Sequence, residues 1–183
     1  NSAVMAEAVL EGATVSDVGT GAGLPGLVLA IARDDLTITL VEPLLRRTTF
    51  LQEVVDELAL DHVEVMRGRA EELHGRRTFD VVTSRAVAPL DRLLRWCMPL
   101  VAPQGAMVAM KGALISEEIE AARGVLKSFK AAEPEVIQVG ADLLESPTRV
   151  VRVAWADPAR VGWTPPSSSS SRRGGRRSRS RRS

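Results

Sequence analysis

A single cysteine, Cys97, stands in the 183-residue chain, which excludes an intramolecular disulfide framework and a cysteine-built zinc site. Histidine is nearly as scarce. His62 and His74 are isolated from one another, so no metal site is expected. Long apolar runs are missing too: no stretch approaches the roughly 20 residues of a membrane-spanning helix, so a membrane partner is not expected. Residues 1–11 have neither an initiator methionine nor the basic-then-apolar pattern of a signal peptide. They read as a helix entered part-way, with further protein expected ahead of it. The lone cysteine and the absence of a signal pattern point to the cytoplasm.

What is present describes a globular chain, 45% hydrophobic and 26% charged, of a length that suits one core. Its net charge of +1 conceals an asymmetry. Seven of the 24 basic residues lie between Arg172 and Ser183; the remaining 17 face 23 acids, a net of −6 for the rest. A nucleic-acid partner would therefore meet either a local basic patch or this tail. From Pro165 onward a Pro-Pro step, a serine run and Arg/Ser/Gly repeats cannot bury a core, so one domain over 1–160 and a disordered tail over 161–183 are expected. A monomer is expected.

Short β-rich runs alternate with helical patterns, which is the mark of a parallel sheet covered by helices. Strands are predicted at 14–17, 37–41, 63–66, 80–84 and 105–110, with helices near 24–33, 45–58, 69–73 and 90–100. A further helix over 116–127, capped by Ser116 with Glu117 and Glu118 in its first turn, precedes β-like runs at 135–139 and 149–155. A turn-rich stretch with Asp142, Ser146 and Pro147 lets those two runs pair as a hairpin. The fold class expected is α/β, a Rossmann-like doubly wound, mainly parallel sheet ending in an antiparallel hairpin.

Between the first strand and first helix runs Asp17-Val18-Gly19-Thr20-Gly21-Ala22-Gly23-Leu24-Pro25-Gly26. Clustered glycines let a backbone turn sharply against a ligand at the carboxyl edge of the sheet, and Pro25 suits the first turn of a helix. The loop also satisfies the dinucleotide pattern G-x-G-x-x-G, with Glu42 at a suitable distance to hold a ribose. Three details favour S-adenosylmethionine over NAD: an acid two residues before the first glycine, no room for a dehydrogenase's substrate domain, and the terminal hairpin. Asp17 can orient the loop or meet the cofactor's ammonium group, Gly21 lies in the ligand loop, and Glu42 can accept both ribose hydroxyls. The plainer alternative is a structural turn and a surface acid.

The strings DVGTGAGLPGLVLAIAR, VEPLLRRTTFLQEVVDEL, GRAEEL, FDVVTSRAVAPL and AMKG, in this order and spacing, resemble the RsmG (GidB) family from residue 1 to about 155. The resemblance implies a class I S-adenosylmethionine-dependent methyltransferase acting on N7 of one guanine in the decoding region of 16S rRNA. In this family, loss is associated with low-level streptomycin resistance. The small ribosomal subunit or its rRNA is the implied partner, and family members carry further helical sequence ahead of the point where this chain begins. Carried over by position, cofactor contacts fall on Gly19, Leu24, Ala70, Glu71 and Arg85. Ala70 can offer its N–H and Glu71 its carboxylate to an adenine edge, with Leu24 giving apolar contact. Without the resemblance, Arg69-Ala70-Glu71-Glu72 reads as a solvated helix start. Arg85 can hold the cofactor's carboxylate or an RNA phosphate, unless it merely pairs with a surface acid. Lys111 is a further candidate for contacting the guanine or its phosphate.

Guanine N7 presents a lone pair and no proton, so such an enzyme needs no general base, and no catalytic residue beyond positioning is expected. The Asn/Asp-Pro-Pro-aromatic element that serves exocyclic amines is missing: the corresponding stretch reads Ser84-Arg85-Ala86-Val87-Ala88-Pro89. Cys97 lies deep in a helical pattern, where a buried structural residue is expected rather than the nucleophile of a carbon-5 pyrimidine enzyme. Two rivals stay open: the same fold acting on a small molecule or protein, and a non-catalytic RNA-binding module.

Overall fold

The computed structural model describes residues 2–85, 88–140 and 148–161. Five strands pair in parallel: β1 (Thr14–Val18), β2 (Thr37–Glu42), β3 (Val63–Arg67), β4 (Phe79–Arg85) and β5 (Val101–Lys111). Two more, β6 (Glu135–Val139) and β7 (Thr148–Ala154), run antiparallel, with β7 paired to β5. The order across the sheet is β3-β2-β1-β4-β5-β7-β6. The chain thus starts mid-sheet, winds to one edge, and crosses back over β1. The helices that follow β1 and β4 lie on opposite faces, and a crevice opens between them at the carboxyl ends. The doubly wound sheet with its terminal hairpin is the one the alternation predicts.

Strands β1, β2, β4 and β5 are buried on both faces, so their residues divide between two cores, whereas the edge strand β3 is half-exposed. Val15, Ile38, Leu40, Val81 and Val108 pack with α1 (Gly26–Ala32) and α2 (Leu45–Glu57). Val18, Val41, Val82, Met107 and Ala109 pack with α3 (Leu90–Cys97) and α4 (Ile115–Phe129). Cys97 is fully buried in the second core.

Several boundaries differ from the sequence prediction, each for a local reason. The first helix begins at Gly26 rather than 24, because Pro25 disfavours helical backbone at the preceding Leu24. The segment at 69–73 is a single 3₁₀ turn, Ala70–Leu73, and the Glu72 carboxylate folds back to accept from the Arg69 N–H at 2.8 Å. The helix predicted to 100 stops at Cys97 and continues as a 3₁₀ turn, Met98–Leu100, since Pro99 has no N–H to extend the ladder. Ser116 is not a cap: α4 starts at Ile115, whose buried side chain draws the helix start into the core, and no side chain caps it. Residues 3–8 form a 3₁₀ helix. The strand predicted at 105 begins at Val101, with a register irregularity opposite Phe79 and Val81. The hairpin turn at Asp142, Ser146 and Pro147, and the Arg/Ser tail from residue 162, lie outside the described residues.

Candidate cofactor site

The loop after β1 is organised by one buried carboxylate. Asp17 Oδ2 accepts from Thr20 Oγ1 at 2.6 Å and from the Gly26 N–H at 2.8 Å, joining the two ends of the glycine loop. Gly26 is required at that contact, because a Cβ there would come within 2.8 Å of the same Oδ2. Oδ1 of Asp17 has no partner among the described residues although it is buried. Burial pushes the Asp17 pKa up from 3.8 to about 6, against the opposing pull of Thr20, Gly26 and the positive charge of Arg85.

This raised pKa carries a pH signature. The folded chain holds the Asp17 proton more tightly than the unfolded chain, so the group favours folding most below pH 3.8 and progressively less as pH rises to about 6. Above that, ionised Asp17 costs roughly 3 kcal/mol. Asp17→Asn removes the titration, and its stability relative to the parent is expected to improve by most of that amount between pH 4 and pH 7. Urea unfolding of both proteins across this window checks it; a constant difference would contradict the assignment.

Glu42, the last residue of β2, is 2% exposed. Its Oε2 accepts from the Gly21 N–H at 3.1 Å and its Oε1 from the Leu44 N–H at 3.0 Å, with Arg47 Nη1 3.5 Å from Oε2. The carboxylate therefore ties the glycine loop to the start of α2, and each oxygen keeps a second lone pair for a ligand hydroxyl. The Gly19 and Thr20 N–H groups both donate to the Val41 carbonyl, at 2.9 and 3.3 Å, and Ser84 Oγ donates to the Val18 carbonyl at 2.9 Å. Three neighbouring strand ends are thereby locked together.

Against these ends lies a largely apolar cavity of about 280 Å³, walled by Val18, Gly19, Val41, Pro43, Gly68, Arg69, Ala70, Glu71 and Trp96. The structure brings the candidates Gly19, Ala70 and Glu71 onto one cavity; Asp17, Gly21 and Glu42 do not line it, and their hydrogen bonds organise the glycine loop that leaves it. Leu24, half-buried in the loop, and Arg85, exposed at the end of β4, do not line it. Lys111 lies elsewhere: its side chain is 4% exposed, and Nζ donates to the Ala88 carbonyl at 2.7 Å and to Glu118 Oε2 at 2.6 Å. Trp96 is a wall residue that sequence reasoning missed. It comes from α3, and His74 Nε2, 2.9 Å from its carbonyl, ties it to the 3₁₀ turn. Pro43, Gly68 and Arg69 were equally missed, although all three adjoin motif residues.

The other polar groups weighed from the sequence are engaged structurally. His62 Nε2 lies 3.1 Å from the Ala30 carbonyl. Burial, assisted by the charges of Asp17 and Glu71, pushes the Cys97 thiol far above its ordinary value, so it is no nucleophile.

The described residues fit S-adenosylmethionine. The apolar cavity suits an adenine, Glu42 a ribose, and the orphaned Oδ1 of Asp17 is a buried acceptor that a cation would complete.

A family model described as rRNA small subunit methyltransferase G matches residues 1–144. A ribosomal RNA small subunit methyltransferase G from a Nocardioides species is 62% identical over 179 residues, 98% of this chain and 71% of that protein. One from Streptomyces avermitilis is 55% identical over 154 residues, 84% of this chain and 65% of that protein. The chain thus spans about two thirds of the length of these curated relatives. Among solved structures, a SAM-dependent O-methyltransferase from Thermotoga maritima superposes with a TM-score of 0.63 at 13% identity, covering 84% of this chain and 64% of that one. A precorrin-6y C5,15-methyltransferase from Geobacter metallireducens gives 0.61 at 14% identity, covering 84% and 85%. At these identities the likeness concerns the fold alone, which is that of the class I S-adenosylmethionine-dependent methyltransferases.

Proposed function

Because the chain belongs to the rRNA small subunit methyltransferase G family, we propose that it transfers a methyl group from S-adenosylmethionine to N7 of one guanine in 16S rRNA of the small ribosomal subunit. It acts in the cytoplasm, as a monomer. The observation that supports this best is the pairing of the glycine loop, organised by Asp17 and Glu42, with the adenine-sized cavity beside Ala70 and Glu71.

When bound, S-adenosylmethionine supplies an electrophilic methyl group. The chain's own residues bind and orient. Ala70 and Glu71 take the adenine edge, Glu42 accepts from the ribose hydroxyls, and Gly19 and Gly21 let the backbone approach. Leu24 adds apolar contact. Asp17 meets the ammonium group, and Arg85 holds the carboxylate or a phosphate of the RNA. No residue moves a proton, because guanine N7 carries none; positioning alone can contribute up to roughly 7 to 11 kcal/mol. Among the described residues no helix is long and apolar enough to cross a membrane.

The test is to incubate the full chain with labelled S-adenosylmethionine and small ribosomal subunits lacking the modification, then to separate RNA from protein. Label in the RNA is expected. Label confined to ribosomal protein, or turnover without subunits, would replace this reading with a methyltransferase of the same fold acting on protein or a small molecule.

A further inference from the structure

The carboxyl edge of the sheet holds a second, open cavity of about 720 Å³, walled by Ala88 and Pro89 ahead of α3 and by Lys111, Gly112, Leu114 and Glu118 around the start of α4. It sits at the ends of β4 and β5, whereas Glu42 and the turn at Ala70–Leu73 mark the opposite side, over β2 and β3. A methyl donor with its adenosine over β2 and β3 and its ammonium group at Asp17, at the end of β1, would leave the ends of β4 and β5, where this cavity opens, for the acceptor base.

Within it, Glu118 is held in one orientation. Oε2 accepts from the Leu90 N–H at 2.8 Å and from Lys111 Nζ at 2.6 Å, and Lys111 is itself anchored on the Ala88 carbonyl. No donor reaches Oε1 among the described residues, and the side chain keeps 28% of its surface exposed. One oxygen is thus fixed by backbone and buried ammonium, and the other is presented as an acceptor without a partner.

We propose that Glu118 reads the Watson–Crick edge of the target guanine, Oε1 accepting from N1–H and the N2 amine, with Lys111 as the residue that positions it. The assignment rests on the N7 reading above. A carboxylate only accepts, and guanine is the base whose Watson–Crick edge carries two adjacent donors. Adenine and cytosine present a ring-nitrogen acceptor there and are repelled. N7 lies on the other side of the purine, so holding the base by N1 and N2 leaves N7 free to face the methyl donor. Lys111 therefore acts through Glu118 rather than on the base.

Glu118→Gln separates this role from a structural one. Its amide oxygen still accepts from Leu90 and Lys111, while its NH₂ faces the guanine donors. With subunits lacking the methyl group, kcat/KM is expected to fall roughly 10- to 100-fold, with affinity for S-adenosylhomocysteine unchanged. The second readout is a subunit carrying inosine, which lacks the N2 amine, at the target position. Inosine is expected to slow the parent protein about tenfold and to slow Glu118→Gln no further. Full activity of Glu118→Gln, or equal inosine penalties in both proteins, overturns the assignment. The inosine measurement on the parent needs no variant to fold, and the absence of a penalty there overturns it too. Failure of the parent to methylate guanine-containing subunits at all would instead overturn the N7 reading, and the assignment with it.

Discussion

Gly19→Asp is expected to lower affinity for S-adenosylmethionine at least about 100-fold while leaving the protein folded. Gly19 follows β1 at φ +68° and walls the cavity through backbone alone. A side chain there costs on the order of 1–2 kcal/mol in backbone conformation, and aspartate tolerates that region better than most residues. The larger effect is local. An Asp side chain fills part of a 280 Å³ cavity and adds a negative charge beside Asp17, Glu42 and Glu71. Gly19→Ala bears the backbone cost without the charge and is expected to lose much less affinity. Calorimetric titration with S-adenosylhomocysteine, together with thermal melts, separates the two. A folded Gly19→Asp protein with unchanged affinity would remove Gly19 from the site.

Truncation of Glu42 is the second large effect, and it acts on two levels. Glu42→Ala leaves the Gly21 and Leu44 N–H groups without their acceptor and Arg47 without its counter-charge. A donor left unsatisfied costs about 1–3 kcal/mol, so a measurable loss of stability is expected. The same change removes the acceptor for the ribose hydroxyls, and hydrogen bonds to a charged group contribute about 1.5–3 kcal/mol. Affinity for the cofactor is therefore expected to fall roughly 100-fold. Glu42→Gln, which keeps one oxygen for the loop, is expected to recover most of the stability but only part of the affinity. A stability loss without any affinity loss would make Glu42 a structural tie and no more.

How far the sequence anticipated these features depends on how local each one is. The parallel strands were legible from their β-branched, apolar runs, which are buried on both faces in β1, β2, β4 and β5 and half-exposed in the edge strand β3, and the positions of Asp17, Gly19 and Glu42 because they stand at fixed offsets from strand ends. Helix starts were less legible. Nothing local says that Ile115 is drawn into the core ahead of Ser116. Trp96 could not be placed on the cavity from its own neighbourhood, because it arrives there through the packing of α3 and its link to His74. The pairing of Lys111 with Glu118 was hidden for the same reason: one ends a strand, the other lies in the next helix, and the gap between them, closed by Leu90 and Ala88, belongs to a third element. From the sequence Lys111 was a candidate for contacting the guanine or its phosphate, and the structure shows its ammonium engaged by Ala88 and Glu118.

The central claim, methyl transfer to N7 of one guanine of small-subunit rRNA, is tested most directly by mapping the product atom. Small subunits lacking the modification are incubated with the full chain and S-adenosylmethionine, and their RNA is treated to cleave selectively at N7-methylguanine. The account predicts cleavage at a single guanine of 16S rRNA, dependent on the chain and abolished by Gly19→Asp. Methyl incorporation into that RNA without N7-selective cleavage, or cleavage scattered over many guanines, would contradict it.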